Sequence, residues 1–293
     1  MSKTNKEQTL QTADERREAL FHTMRTAFLT AYPKIFTDVA YASEIFYQST
    51  RLATDYGFSF QTSLFVADMA IEIEARHKAL NAALKKEADE KTLIIELAVG
   101  LSPRRAECGG ANYAELDHET IVEIKKSVYE KMGLGEYSSG LHAVDFTDRT
   151  AFASVLQGLN AQAYSKIVVV SEGLFWYLKR SHVQAMVEEL STAFAGKEWC
   201  WVTADCPIKA DVSEADYRNV IANSSGRSPI EPFADYEDFA EFFTSNGFTL
   251  TVQKLQELIA PQAVGSGRFF SVSEADVIKR MDDYTDIALL KKA

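Results

Sequence analysis

The chain has 293 residues, 46% of them hydrophobic and 25% charged, and a formal net charge of −11. That balance fits a folded α/β domain with additions and excludes a disordered chain, while an acidic chain without a basic run is a poor partner for nucleic acid or an anionic membrane. Three cysteines (Cys108, Cys200 and Cys206) without C-x-x-C spacing exclude a disulfide framework or a zinc ribbon, and five histidines without ligand spacing point to no metal.

The first 20 residues are polar and charged, and no window approaches the roughly 18 apolar residues of a membrane span. A cytoplasmic protein is expected. Residues 1–90 read as a helical region or cap. ADERREALFHTMRTAFLTAY sets Leu20, Phe21, Met24, Phe28 and Leu29 on one stripe at helical spacing, until Pro33 interrupts it. The aromatic-rich TDVAYASEIFYQSTRLATDY follows, and then the long TSLFVADMAIEIEARHKALNAALKKEADE, charged towards its end.

From residue 91 to 293 the texture changes to short β-rich runs alternating with amphipathic segments. Strands are expected at Leu93–Leu97, Tyr113–Leu116, Leu141–Val144, Ile167–Val170 and Trp199–Thr203, with helices in HETIVEIKKSVYEKM, DRTAFASVLQGLNAQ and SHVQAMVEELSTAFAG. Such alternation predicts an α/β fold, a mostly parallel sheet covered by helices. Residues 206–235 carry three of the six prolines and read as a lid-like insertion. DFAEFFTSNGFTLTVQKL reads as helix, Asn-Gly turn and strand, and the tail as a helix and a last strand, Ile287–Leu290.

In an open α/β sheet, ligands bind at the carboxyl ends of the strands. TLIIELAVGLSPRR places the small residues Ala98 and Gly100 after the first strand, where a ligand must approach the backbone; a plain buried strand with a tight turn has the same pattern. Asp117 ends the second strand, placed either to accept both hydroxyls of a ribose or to cap the next helix. In HAVDFTD, Asp145 can accept from an adenine amino group and Phe146 can pack on the base. In VVVSEGLFWYL, Glu172 can face a cationic part of the ligand. The loop A-V-G-L-S-P lacks the glycines of a pyrophosphate cradle. A phosphate-free ligand, S-adenosylmethionine, suits these carboxylates better than a nicotinamide dinucleotide.

IIELAVGLSPRR, YAELDHETIVEIKK, LHAVDFTD and VVVSEGLFWYL occur in the order seen in leucine carboxyl methyltransferase-like proteins, and the chain most resembles the branch of O-methyltransferases associated with polyketide biosynthesis. The resemblance covers about residues 65–205. It implies a class I, Rossmann-like methyltransferase fold: a seven-stranded, mostly parallel sheet with one antiparallel strand, here joined to the N-terminal helical region. It also implies roles. Glu96, Ala98 and Gly100 would surround the amino-acid end of S-adenosylmethionine, and Arg76 would take its carboxylate. Asp117, helped by Glu115, would hold the ribose, Asp145 and Phe146 the adenine, and Glu172 the amino group or sulfonium. The common E-x-G-x-G reads Glu96-Leu97-Ala98-Val99-Gly100, and the D-T-R-type triplet reads Ser102-Pro103-Arg104. Ala98 is tolerable at negative φ and costly at positive φ.

The implied reaction is an O-methylation of a carboxylate or hydroxyl on a small, polyketide-like acceptor, leaving S-adenosylhomocysteine. Tyr177 and His182 are the candidate catalytic groups. Tyr177 reads more readily as packing. His182 reads as solvent-facing near a helix start capped by Ser181, and His77 and His118 have similarly plain explanations. A non-catalytic binding protein that keeps the fold, and a nicotinamide-dependent oxidoreductase, are the alternatives. The oligomeric state is not legible.

Overall fold

The computed structural model describes residues 25–55, 57–59, 66–108, 112–207, 230, 232–283 and 286–292. The start of the first predicted helical stripe (Leu20, Phe21 and Met24) and most of the predicted 206–235 insertion lie outside the described residues.

Seven strands form one sheet: β1 (Thr92–Leu97), β2 (Tyr113–Asp117), β3 (Leu141–Ala143), β4 (Lys166–Ser171), β5 (Glu198–Thr203), β6 (Phe248–Gln253) and β7 (Ile287–Lys292). Their spatial order is β3-β2-β1-β4-β5-β7-β6. β1 to β5 pair in parallel, and β7 runs antiparallel to both β5 and β6. From β1 the chain winds outward through β2 and β3, then returns to the other side of β1 as β4. The order therefore reverses between β1 and β4, which opens a crevice at their carboxyl ends.

The central strands are buried on both faces, hence their near-continuous Ile/Leu/Val runs. Odd and even residues divide between two cores. Leu93, Ile95, Ile167, Val169 and Trp201 face helices α6 (Arg149–Gly158), α7 (Arg180–Ala193) and α8 (Tyr236–Ser245), where Phe152, Val183, Leu190 and Phe243 complete the packing. Ile94, Val168, Val170 and Val202 face α3 (Val66–Glu87), through Ile71, Ala75, Leu80 and Leu84. Much of the long N-terminal helix thus forms one face of the sheet's core. A third cluster joins α1 (residues 25–34), α2 (Ala42–Asp55) and α5 (Glu119–Lys131), with Phe28, Ile45, Phe46, Ile121 and Ile124 at its centre. This sets α1 above the carboxyl ends of the strands.

Helix starts differ from expectation at two places. α7 begins at Arg180 with Lys179 as its N-cap, not Ser181; the Lys179 N–H donates to His182 Nδ1 at 3.4 Å. α5 is capped by His118, whose Nδ1 accepts the Thr120 N–H at 3.5 Å, so Asp117 is free of that duty. No helix among the described residues is long and apolar enough to cross a membrane.

Candidate functional site

At the reversal point the chain leaves β1 through two left-handed residues. Ala98 has φ 54° and Gly100 has φ 51°. Glycine enters this region freely. An alanine Cβ meets the following carbonyl there, at about 1–2 kcal/mol. The turn at Ala98 is thus of the costly kind. Asp117 at the end of β2 stabilises it: Oδ2 accepts the Gly100 N–H at 2.6 Å, and Oδ1 accepts the His118 N–H at 2.6 Å. Burial pushes the Asp117 carboxyl up, against the pull of those two N–H donors.

Glu172 follows β4 and sits between two guanidinium groups. Oε1 is 3.0 Å from Arg76 Nε on α3, and Oε2 is 2.5 Å from Arg104 Nη2. Burial alone would raise its carboxyl. Lys34, Arg76, His77 and Arg104 outweigh that and hold it well below the usual carboxylate range. Arg104, at the start of the short helix α4 (Arg104–Cys108), is fully buried. Its Nε meets Glu96 Oε1 at 2.9 Å, and its Nη1 donates to Asn81 Oδ1 and to the His77 carbonyl. Glu96 accepts on its other oxygen from Tyr113 Oη at 2.6 Å.

A cavity of about 270 Å³ opens beside these groups. Arg76, Ala98, Gly100, Asp117, Asp145 and Glu172 line it. Phe146 lines it too, its ring 5.9 Å from Phe152. Asp145 is exposed; its Oδ1 accepts from Thr147 N and Oγ1 at 2.8 and 2.7 Å, which folds the loop after β3. Apolar side chains line the cavity as well: Leu29 from α1 and Met69 and Ile73 from α3, which pack together with Trp176, and Leu174 and Leu178 from the loop after β4. Tyr177 lines the cavity too, instead of serving only as packing. Its hydroxyl is hydrogen-bonded with Thr26 of α1, and burial pushes the phenol up to about 12.

Seven of the nine expected cofactor residues therefore converge on one cavity. Two do not. Glu96 points into the buried Arg104 cluster, and Glu115 faces α5. There Glu115 is fully buried and meets Lys125 Nζ at 2.6 Å and Tyr129 Oη at 2.9 Å, with Arg105 Nη1 at 3.4 Å. A side chain so paired has no path to a ribose. His182, in the first turn of α7, accepts the Lys179 N–H and does not line the cavity.

Sequence reasoning missed Lys34, Arg104 and His77. Lys34 is buried, and Glu172 is the main charge that favours its ammonium against burial. His77 is buried, not solvent-facing, with Nε2 2.5 Å from Glu107 Oε2. The Arg104 signal was present in the S-P-R triplet, in the place of the D-T-R arginine.

The model of a family described as leucine carboxyl methyltransferase matches residues 6–191. The chain belongs to the leucine carboxyl methyltransferase family. As a member it is an S-adenosylmethionine-dependent methyltransferase. Among solved structures, a DUF574-family protein from Streptomyces avermitilis aligns over 92% of this chain and 97% of its own, at TM-score 0.55 and 13% identity. The magnesium protoporphyrin IX methyltransferase of Synechocystis aligns over 85% and 94%, at TM-score 0.47 and 14% identity. Mitomycin 7-O-methyltransferase aligns over 96% and 69%, at TM-score 0.46 and 12% identity. At these identities the likeness concerns the fold alone, the seven-stranded sheet of class I methyltransferases. No curated protein matches the chain in a sequence search.

Proposed function

We propose that this family member methylates an oxygen, a carboxylate or a hydroxyl, on a small apolar acceptor of polyketide-like character. The observation that carries the reading is that one cavity is lined both by charged groups (Arg76, Asp117, Asp145 and Glu172) and by the apolar cluster of Leu29, Met69, Ile73 and Trp176. The charged groups suit the parts of S-adenosylmethionine. Asp117 keeps acceptor capacity on both oxygens after serving Gly100 and His118, which suits two ribose hydroxyls. In this reading Asp145 accepts from the adenine amino group and Phe146 packs on the face of the base. Arg76, held by Glu172, offers a guanidinium to the carboxylate of the amino-acid tail.

When bound, the cofactor supplies an electrophilic methyl on a sulfonium that departs as a neutral thioether. The protein's part is alignment. Leu29, Met69, Ile73 and Trp176 exclude water from the acceptor and fix an apolar body beside the charged groups. Tyr177, with its phenol near 12, stays protonated at neutral pH and does not serve as a base. A carboxylate acceptor needs no base, and an acidic phenol needs little help.

Calorimetric titration with S-adenosylmethionine and S-adenosylhomocysteine tests the cofactor half. Micromolar binding is expected, weakened about 100-fold or more in Asp117→Ala, since two hydrogen bonds to a charged group are lost. A folded wild type that binds neither ligand would overturn the reading. An acceptor screen with aromatic acids and phenols then tests the other half.

A further inference from the structure

Beyond the cavity lies a buried carboxylate that the proposed reaction does not use. Asp205 follows β5 and is 4% exposed. Oδ2 accepts from Ser171 Oγ at 2.6 Å and from Thr203 Oγ1 at 2.9 Å, and Oδ1 accepts the Phe175 N–H at 3.4 Å. Ser171 Oγ in turn accepts from Trp201 Nε1 at 3.0 Å. Burial pushes the Asp205 carboxyl up, and no cation lies within hydrogen-bond reach among the described residues. If this place only needed filling, an apolar side chain would do so at lower cost.

What the carboxylate touches explains it. Ser171 is the last residue of β4, directly before Glu172. Phe175 lies in the middle of the segment 172–178, which supplies Glu172, Leu174, Trp176 and Tyr177 to the cavity wall. The Phe175 side chain is anchored separately, its ring 5.4 Å from Trp201. Asp205 thus ties the end of β4, the end of β5 and the backbone of the wall segment into one rigid corner.

We propose that Asp205 is a positioning residue for methyl transfer: it sets the 172–178 segment, and through it Glu172 and Arg76, in register with the amino-acid end of the cofactor. This rests on the reading of the cavity as the S-adenosylmethionine site. It follows that loosening the corner weakens ligands with an amino-acid tail and spares those without one. S-adenosylhomocysteine has the tail; 5′-methylthioadenosine carries the same adenine and ribose and lacks it.

The test compares the affinities of the two ligands in wild type, Asp205→Asn, Ser171→Ala and Leu156→Ala. Leu156 is buried in α6, away from the cavity, and its truncation controls for general destabilisation. Asp205→Asn is expected to lose about tenfold in S-adenosylhomocysteine affinity with methylthioadenosine unchanged, as expected for one lost charged hydrogen bond. Ser171→Ala, a milder change should Asp205→Asn fold poorly, is expected to lose a smaller factor with the same selectivity. Leu156→Ala should lower the melting temperature and move neither affinity. Equal losses for both ligands, or no loss in either corner variant, would overturn the proposal. Failure of the wild type to bind either ligand would instead remove the site reading and this inference together.

Discussion

Replacing Ala98 by glycine should stabilise the protein, although glycine substitutions ordinarily do the opposite. The sign turns on one angle, the φ of 54° at Ala98. An L-residue in that region carries about 1–2 kcal/mol of steric strain, which glycine lacks. Against this, glycine loosens the unfolded chain by about 0.4–1 kcal/mol. The balance is a gain of about 0.5–1 kcal/mol. For a chain of this length that raises the melting temperature by about 1–2 °C. Ala82 provides the contrast, since it lies inside α3 in ordinary helical geometry; Ala82→Gly should lose about 1 kcal/mol. Urea denaturation of both variants, with calorimetric melts alongside, measures the two signs. If Ala98→Gly is destabilised as Ala82→Gly is, the turn is not left-handed, and the account of this loop is wrong.

Three further outcomes follow from the buried charges and from close approach. Glu172→Gln removes the anion between Arg76 and Arg104 and should cost about 3–5 kcal/mol at neutral pH in urea denaturation. Because the folded Glu172 and Glu96 carboxyls lie below their ordinary values, their stabilising contribution is complete above the usual glutamate range, about 4–5. It is lost as pH falls through the folded values, so wild type should weaken in acid more steeply than Glu172→Gln; parallel acid profiles would contradict this. Gly140→Ala should lose about 1–3 kcal/mol in a thermal melt, because the added Cβ would lie 2.6 Å from the Tyr113 carbonyl oxygen and against the Arg105 guanidinium; an unchanged melt would mean that the turn before β3 has room to spare.

The strands were legible because parallel strands buried on both faces must be continuous apolar runs, and those runs stand out between amphipathic helices. The six strands with expected bounds appear within a residue or two of them, and β6 follows the Asn-Gly turn as read. The acids at strand ends were legible for a related reason: the topology brings the carboxyl ends of β1 to β4 together whatever the loops do. Side-chain direction was not legible. Glu115 and Asp117 share one face of β2 by alternation, yet Glu115 turns to Lys125 and Tyr129 while Asp117, at the strand's end, turns to the β1 loop. That choice depends on a lysine and a tyrosine on the next helix, which no local pattern announces. Long-range ion pairs hid His77 and Arg104 in the same way, and the burial of Lys34 in the field of Glu172 is equally a long-range matter. The left-handed angle at Ala98 was hidden too, since the residue type argues against it.

The Arg104 cluster bears on how the protein folds. Its partners come from α3, from β1 and from the segment after β4, elements up to 95 residues apart in sequence (Asn81 and His77 at one extreme, Glu172 at the other). A state with β1 and β4 paired but α3 undocked would leave Glu96 and Glu172 facing a guanidinium that has lost half its donors' acceptors. Such a half-assembled sheet is penalised electrostatically as well as by exposed Ile94, Val168 and Val170. The N-terminal helix and the central strands therefore open as one cooperative unit, and their amides should exchange with deuterium at a common, slow rate.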